Sequence, residues 1–178
     1  DLWETYLPAF KSLVQKGNVA EVMCAYQRID GEPCCSNTHY LQQILRKEWG
    51  FKGMVVSDCS AISDFWIKGR HEVSANAADA SARAVIAGTD VECGSNFKNL
   101  PDAVKAGKIT EKQIDESVVK LLTARFDLGD FDGDAQNPYR KIPMSVVASK
   151  KHKDLALKMA RESMVLLQNW NNVLPLSK

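Results

Sequence analysis

One aspartate stands where a carboxylate could act on a substrate. Asp58 directly follows the apolar run Met54–Ser57, whose composition predicts a buried strand. If that strand belongs to a parallel sheet, its carboxyl end lies at the rim where functional side chains sit. A carboxylate there can be a nucleophile, a general base or a metal ligand. The alternative is an aspartate that caps its own loop or the next helix, and position alone leaves both open.

Other candidates follow the same or neighbouring predicted strands. Tyr26 ends the apolar segment 19–26, and its phenol could donate a hydrogen bond to a substrate hydroxyl or to the neighbouring carboxylate. The alternative is a half-buried aromatic side chain at a sheet edge. Asp90 and Glu92 border a third short apolar segment, where each could supply a second carboxylate or cap the following helix. The loop after Asp58 carries aromatic and charged residues that suit sugar binding, namely Asp64, Trp66, Arg70 and His71. For His71, an ordinary surface histidine is the simpler interpretation.

The cysteines give one geometric expectation. The chain has five, namely Cys24, Cys34, Cys35, Cys59 and Cys93, with no C-x-x-C pair, so a structural zinc site is not expected. Cys59 and Cys93 each lie just past a predicted strand end. Because neighbouring strands lie about 4.8 Å apart, within the Cα separation that a disulfide accepts, these two can bond. Two buried thiols remain the alternative, and the other three cysteines are left unpaired.

The elements that must position these residues alternate along the chain. Apolar residues at helical spacing predict helices over 2–14, 40–49, 74–87, 99–106, 110–126 and 150–162. Short apolar runs predict strands over 19–26, 53–57, 89–92 and 164–168. Strands alternating with helices indicate parallel β-α-β units and an α/β fold, either an open sheet or the last part of an eight-stranded barrel. Trp3, Trp49 and Phe51 follow the core periodicity and are expected to pack inside.

Length and charge exclude several classes of function. The 178 residues carry 23 Lys+Arg against 22 Asp+Glu, a formal net charge of +1, so a polybasic surface for nucleic acid or anionic membrane is not expected. No apolar run is long enough for a transmembrane helix. The chain opens at Asp1-Leu2-Trp3, already inside an amphipathic pattern. We therefore expect a piece of a longer protein.

Several segments resemble glycoside hydrolase family 3, in order along nearly the whole chain. Residues 22–26, Val-Met-Cys-Ala-Tyr, followed by Asp30-Gly31 and Cys-Ser-Asn at 35–37, resemble the sixth barrel strand and its loop. Residues 49–58, Trp-Gly-Phe-Lys-Gly-Met-Val-Val-Ser-Asp, resemble the seventh-strand signature. Residues 87–94, Ala-Gly-Thr-Asp-Val-Glu-Cys-Gly, resemble the stretch after the next helix.

The resemblance continues into a second domain and has one departure. Residues 161–169, Arg-Glu-Ser-Met-Val-Leu-Leu-Gln-Asn, and Leu-Pro-Leu at 174–176 resemble the beginning of the family's α/β-sandwich domain. Many relatives read Tyr-Asn-x-x-Asn-Gly where residues 26–31 read Tyr-Gln-Arg-Ile-Asp-Gly, so loop contacts made by those asparagines are not carried over.

For the fold, the resemblance implies a partial (β/α)8 TIM barrel, made of its last strands and helices. A linker and the start of a second α/β-sandwich domain follow. The implied boundaries are 1–128 for the C-terminal half of the barrel, 129–149 for the linker and 150–178 for the beginning of the second domain.

For function, the resemblance implies a retaining exo-acting glycosidase without metal or organic cofactor. Asp58 matches the nucleophile that forms a glycosyl-enzyme ester, and Tyr26 matches a tyrosine lining the subsite of the terminal sugar. The acid/base glutamate is expected outside this chain, so Glu92 is not assigned that role. Cys59 and Cys93 resemble the β-xylosidase and α-L-arabinofuranosidase branch rather than the common β-glucosidases. The implied partners are a carbohydrate substrate and the remainder of the same enzyme.

Two other readings stay open. One is a Mg²⁺-dependent phosphoryl-transfer domain with Asp58 as phospho-acceptor, although Ser60 stands where such domains often place another aspartate. The other is a non-catalytic fragment whose apolar faces drive self-association. For the isolated piece we expect negligible hydrolysis, and for the full-length enzyme a periplasmic or secreted location.

Overall fold

The structure is a computed structural model that describes residues 1–177. The chain divides into two compact units, the first covering Asp1–Phe131 and the second beginning at Asp132. Lys178, the last residue of the predicted segment 150–178, lies outside the described residues. No helix within 1–177 is both long enough and apolar enough to cross a bilayer.

Parallel pairing organises the first unit. Its strands are β1 (Glu21–Cys24), β2 (Arg28–Ile29), β3 (Glu32–Pro33) and β4 (Met54–Ser57). β1 and β4 pair in parallel, with Cys24 opposite Ser57 at their carboxyl ends. Val91 adds one parallel bridge to Val56, so the third predicted strand, 89–92, is reduced to a single paired residue. β2 and β3 form a small antiparallel hairpin inside a segment that the sequence predicts as loop.

Helices follow each parallel element, close to their predicted positions. The α-helices of this unit are α1 (Leu7–Gln15), α2 (Ala77–Ala87), α3 (Leu100–Lys105) and α4 (Glu111–Asp127). Two π-helices cover Leu2–Tyr6 and His39–Glu48, and short 3₁₀ helices cover Cys34–Ser36, Ala61–Phe65 and Phe97–Asn99.

The helix ends follow from local chemistry. α2 starts at Asn76, whose side chain accepts the Asp79 N–H, and stops at Gly88, whose φ of 112° disfavours other residues. α4 begins with the reciprocal capping box that Thr110 and Gln113 predict.

The core of the first unit lies between these helices and β4. Val55 and two residues of the 3₁₀ helix Ala61–Phe65, Ile62 and Phe65, are fully enclosed, and Trp49 and Phe51 are buried as expected. Trp3 is 57% exposed, so its expected core position is wrong. It lies in the π-helix Leu2–Tyr6, which has no buried residue.

Close approach of two backbones explains one glycine next to the parallel pair. A Cβ on Gly53 would lie 2.0 Å from the Ala20 carbonyl oxygen, which also accepts the Met54 N–H at 3.1 Å. Only glycine fits where the chain enters β4 beside β1.

The second unit contains α5 (Lys150–Ser163) and the 3₁₀ helices Pro138–Lys141, Met144–Val146 and Trp170–Asn172. α5 begins at Ser149, whose side chain accepts the His152 N–H, close to the predicted start. The predicted strand 164–168 is wrong for the described chain, because this run has no regular structure and Leu167 is 91% exposed. A strand requires a partner for its backbone groups, and β1 to β4 all lie in the first unit.

Candidate active site

Asp58 lies at the carboxyl end of β4 with one carboxylate oxygen held and the other open. Its backbone N–H donates to the Cys24 carbonyl at 2.9 Å, which extends the parallel pairing one residue past β4. Its Oδ1 accepts the Cys59 N–H at 2.7 Å. Within residues 1–177, no hydrogen bond or ion pair engages Oδ2 of this half-buried side chain. A carboxylate oriented through one oxygen and open at the other can act as a nucleophile or a base.

Tyr26 lies near this carboxylate, two residues beyond the end of the neighbouring strand β1. Its hydroxyl donates to the Cys59 carbonyl, and its own carbonyl is 2.8 Å from Nε2 of His71. From the sequence, the phenol could donate a hydrogen bond to a substrate hydroxyl or to the carboxylate. In the structure the hydroxyl instead donates its proton to the Cys59 carbonyl, so the phenol oxygen can still accept a hydrogen bond. Tyr26 is 40% exposed, so a ligand can reach it.

Disulfides tie the loops beside Asp58 together. The predicted Cys59–Cys93 bond is confirmed, with Cα atoms 4.4 Å apart. Leaving Cys24 and Cys35 unpaired was wrong, because they form a second disulfide with a Cα separation of 5.1 Å. Cys24 is the last residue of the parallel strand β1, so the strand-end argument used for Cys59 and Cys93 could also have identified it as a disulfide candidate. Cys34 stays a thiol, and burial raises its pKa above the ordinary value.

Glu92 is near the site but does not offer an open carboxylate. Its Oε1 accepts the Asn96 side-chain N–H at 2.7 Å, and its Oε2 accepts the Phe97 N–H at 2.6 Å. Both oxygens therefore hold the start of the 3₁₀ helix Phe97–Asn99. Of the two roles open from the sequence, the structure supports helix capping.

Asp90 belongs to the opposite end of the parallel strands. It accepts the Val55 N–H at 2.9 Å and forms ion pairs of 2.6 Å with both Arg46 and Lys120. Ser117 donates a further hydrogen bond of 3.2 Å. The side chain is 1% exposed, so this carboxylate is a buried structural anion rather than a second carboxylate for Asp58.

The loop after Asp58 folds against the segment that carries Cys93. Trp66 donates its indole N–H to Oδ1 of Asn96 at 3.0 Å, and the Ser60 N–H donates to the Cys93 carbonyl at 2.6 Å. Asp64 and Arg70, two of the candidate sugar-binding residues, form an ion pair with each other.

Asn96, which is not among the residues predicted from the sequence, connects these loops through its side chain. It is buried, and its amide N–H groups also reach Ser63 and Glu92, at 2.9 Å and 2.7 Å. The local sequence offers no clear signal for it, because its partners come from both loops.

The described residues hold no obvious cation site. Among residues 1–177, no three His, Cys, Asp or Glu side chains form a group that could hold a metal ion. Ser60, which replaces the second aspartate of many phospho-acceptor domains, has a left-handed φ of 67°. The described residues around Asp58 give no support to the phosphoryl-transfer alternative.

Comparison with known proteins gives matches along the whole chain. Residues 1–124 match the family described as "Glycosyl hydrolase family 3 N terminal domain". A "Xylan 1,4-beta-xylosidase" of Xylanibacter ruminicola is 54% identical over 100% of this chain and 21% of its own length. The chain thus spans about a fifth of that relative.

Solved structures agree with the sequence match. A family 3 exo-β-xylosidase in complex with a xylobiose aziridine activity-based probe has a TM-score of 0.86 at 36% identity, over 99% of this chain and 23% of its own. A β-glucosidase from Listeria innocua in complex with glucose has a TM-score of 0.80 at 30% identity, over 99% and 24%. These relatives are glycosidases.

Proposed function

Because this chain belongs to glycosyl hydrolase family 3, we propose that it is part of a retaining exo-acting glycosidase that removes terminal β-linked sugars. The observation that carries this proposal is the Asp58 carboxylate at the end of β4, with Oδ1 anchored on the Cys59 N–H and Oδ2 open. Since the chain spans about a fifth of its relatives' length, the activity is proposed for the complete enzyme.

The proposed reaction has two displacements. Asp58 Oδ2 attacks the anomeric carbon while the bond from that carbon to the leaving-group oxygen breaks, and an acid from outside this chain protonates that oxygen. The product is a glycosyl ester of Asp58. Water then attacks the same carbon, gives its proton to the residue that served as acid, and releases Asp58 as a carboxylate. Two carboxyl groups about 5–5.5 Å apart are required for this scheme.

Tyr26 is proposed to line the subsite of the terminal sugar. Its hydroxyl proton is engaged by the Cys59 carbonyl, so the phenol oxygen can accept a hydrogen bond from a sugar hydroxyl. Both Tyr26 and Asp58 lie at the carboxyl ends of parallel strands, the edge where barrel enzymes bind substrates.

We propose that the first unit is the C-terminal part of a (β/α)8 barrel. Residues 1–128 would complete the barrel with strands from the rest of the enzyme, residues 129–149 would form the linker, and residues 150–178 would begin an α/β-sandwich domain. The groove between α1, β1 and the π-helix His39–Glu48 supports this, because its lining is mostly apolar. In the second unit, the exposed apolar side chains at 164–167 support an incomplete domain in the same way. The chain alone should then self-associate and fail to turn over a nitrophenyl xyloside.

A terminal β-xyloside or α-L-arabinofuranoside is the favoured substrate class, and a β-glucoside is the second. The support is the Cys59–Cys93 pair, which resembles the pentosidase branch, together with the xylosidase names of the relatives.

Covalent trapping tests the nucleophile. The complete enzyme is incubated with a xylose-configured aziridine, digested with a protease and analysed by mass spectrometry. A carboxylate oxygen should attack one ring carbon of the aziridine, and the bond from that carbon to nitrogen should break. The nitrogen should take a proton from the enzyme's acid and remain on the neighbouring carbon as an amine. We expect the adduct on the peptide that contains Asp58.

The matched control is Asp58→Asn, which keeps an oxygen for the Cys59 N–H but is a poor nucleophile. It should carry no adduct. An adduct on another carboxylate of the wild type, such as Glu92, would overturn the assignment.

A further inference from the structure

A chain of hydrogen bonds leads from His71 to the Asp58 carboxylate. Nε2 of His71 lies 2.8 Å from the Tyr26 carbonyl, the Tyr26 hydroxyl donates to the Cys59 carbonyl, and the Cys59 N–H donates to Asp58 Oδ1 at 2.7 Å. Because a carbonyl only accepts, Nε2 of His71 carries the proton in this arrangement. We propose that His71 is a positioning residue that acts through Tyr26 and Cys59 on the orientation of Asp58. This inference rests on the proposed function of Asp58.

Cys59 is the link whose position matters most. Its sulfur is bonded to Cys93, its carbonyl accepts from Tyr26, and its N–H orients the carboxylate. The disulfide fixes the side of Cys59 that faces the segment after Val91. Tyr26 fixes the side that faces β1. The Ser60 N–H also donates to the Cys93 carbonyl at 2.6 Å. Loss of the Tyr26 hydrogen bond would therefore remove one of the restraints on Cys59 and loosen the orientation of the N–H that holds Asp58 Oδ1.

His71 is held in place to make this contact. Its backbone N–H donates to the Asp64 carbonyl at 2.9 Å, and its ring lies 6.4 Å from that of the fully buried Phe65. Since Tyr26 is the second residue beyond β1 and is 40% exposed, the strand ladder does not fix it. The hydrogen bond from the His71 imidazole therefore restrains Tyr26 where strand pairing does not.

The experiment uses the complete enzyme with a nitrophenyl xyloside as substrate. His71→Ala should lower kcat about tenfold with KM changed less than about twofold, because the loss of one orienting hydrogen bond acts on the attack rather than on binding. His71→Gln should recover most of the lost kcat, since its Nε2 can donate from nearly the same place. His152→Ala, a change at a histidine in the second unit, is the matched control and should leave kcat unchanged.

A double-variant cycle separates positioning from general stability. Tyr26→Phe removes the hydroxyl through which His71 acts, so adding His71→Ala to it should cost less than about twofold more in kcat. Equal effects of His71→Ala in both backgrounds would overturn the relay. So would a His71→Gln enzyme as slow as His71→Ala.

Two further variants distinguish a folding defect and a wrong nucleophile from a wrong positioning role. If His71→Ala does not fold, His71→Asn replaces it, because the shorter amide cannot reach the Tyr26 carbonyl and should be slow where His71→Gln is fast. Asp58→Asn is assayed alongside. An active Asp58→Asn enzyme would refute the nucleophile itself, whereas an inactive one with unaffected His71 variants would refute only the positioning role.

Discussion

Asp58 and Asp90 lie at opposite ends of the same parallel strands, and their surroundings are opposite too. Asp90 is enclosed and has two cations within 2.6 Å and a backbone N–H at 2.9 Å. Asp58 has one backbone N–H as its partner and an oxygen left open. A carboxylate whose charge is fully satisfied stabilises the fold. One that is oriented but unsatisfied is available for reaction, and the barrel rule places it at the carboxyl edge.

The two ends are also held together by different means. At the carboxyl ends, two disulfides join the loops, Cys24–Cys35 and Cys59–Cys93. At the amino ends, Asp90 accepts a hydrogen bond from Val55 of β4 and forms ion pairs with the π-helix His39–Glu48 and with α4. Covalent ties suit an edge made of exposed loops, because they restrain the backbone without filling the space that a substrate needs.

The largest expected difference between the two aspartates is in catalysis. Asp58→Asn in the complete enzyme should lower kcat by on the order of 10³-fold or more, since it removes the nucleophile. Its Tm should stay within about 2 °C, because the asparagine oxygen can still accept the Cys59 N–H. Steady-state kinetics and thermal melting measure both. Glu92→Gln is the comparison carboxylate, and a loss of kcat as large as that of Asp58→Asn would show that the roles have been misassigned.

Asp90 should give the reverse pattern. Asp90→Ala leaves Arg46 and Lys120 without their buried partner and should lower the free energy of unfolding by about 3–5 kcal/mol. The fraction that remains folded should keep its kcat. Urea denaturation measures the loss, and Asp102→Asn, from an exposed ion pair with Lys105, should change stability by less than about 0.5 kcal/mol. Lost kcat with unchanged stability would mean that Asp90 takes part in the chemistry.

The disulfides test whether the carboxyl edge depends on its covalent ties. Cys59 and Cys93 are 34 residues apart and Cys24 and Cys35 are 11 apart, so chain entropy predicts stabilisation of about 4 and about 3 kcal/mol. The double variant Cys59→Ser/Cys93→Ser should therefore melt lower than Cys24→Ser/Cys35→Ser. Only the former removes a restraint on the peptide that orients Asp58, so it should also lower kcat more. The opposite ranking in both measurements would contradict this account.

The sequence predicted what depends on local pattern. The end of β4, the glycine stop of α2, the capping box of α4 and the Cys59–Cys93 pair all follow from periodicity, capping residues and strand spacing. The predicted strand 19–26 was too long, because β1 covers only Glu21–Cys24. The contacts that separate Asp58 from Asp90 could not be predicted this way. Arg46 and Lys120 lie 44 and 30 residues from Asp90, and only the fold brings them together. The strand expected at 164–168 failed for a related reason, because apolar composition cannot supply a pairing partner.

Asp79 forms an ion pair near the surface, which can be compared with the buried ion pairs of Asp90. Its expected effect on stability is the smallest of those considered. Its hydrogen bond to Lys108, at 2.5 Å, lowers the pKa of Asp79 below its ordinary value of 3.8. A lowered folded-state pKa means that the pair stabilises the protein above that ordinary value and loses its contribution as the pH falls through the folded-state value. Both side chains are partly exposed, at 28% for Asp79 and 42% for Lys108, so the contribution should stay below about 1 kcal/mol.

Urea unfolding of wild type and Lys108→Gln at several pH values measures that contribution. The difference should be constant between about pH 5 and 7 and shrink towards pH 3, as Asp79 takes up its proton. Lys105→Gln, which breaks the more exposed pair with Asp102, is the matched control and should show a smaller difference. If the Lys108 difference instead grew on acidification, the ion pair would not be its cause. Then the contrast between surface and buried carboxylates would rest on Asp90 alone.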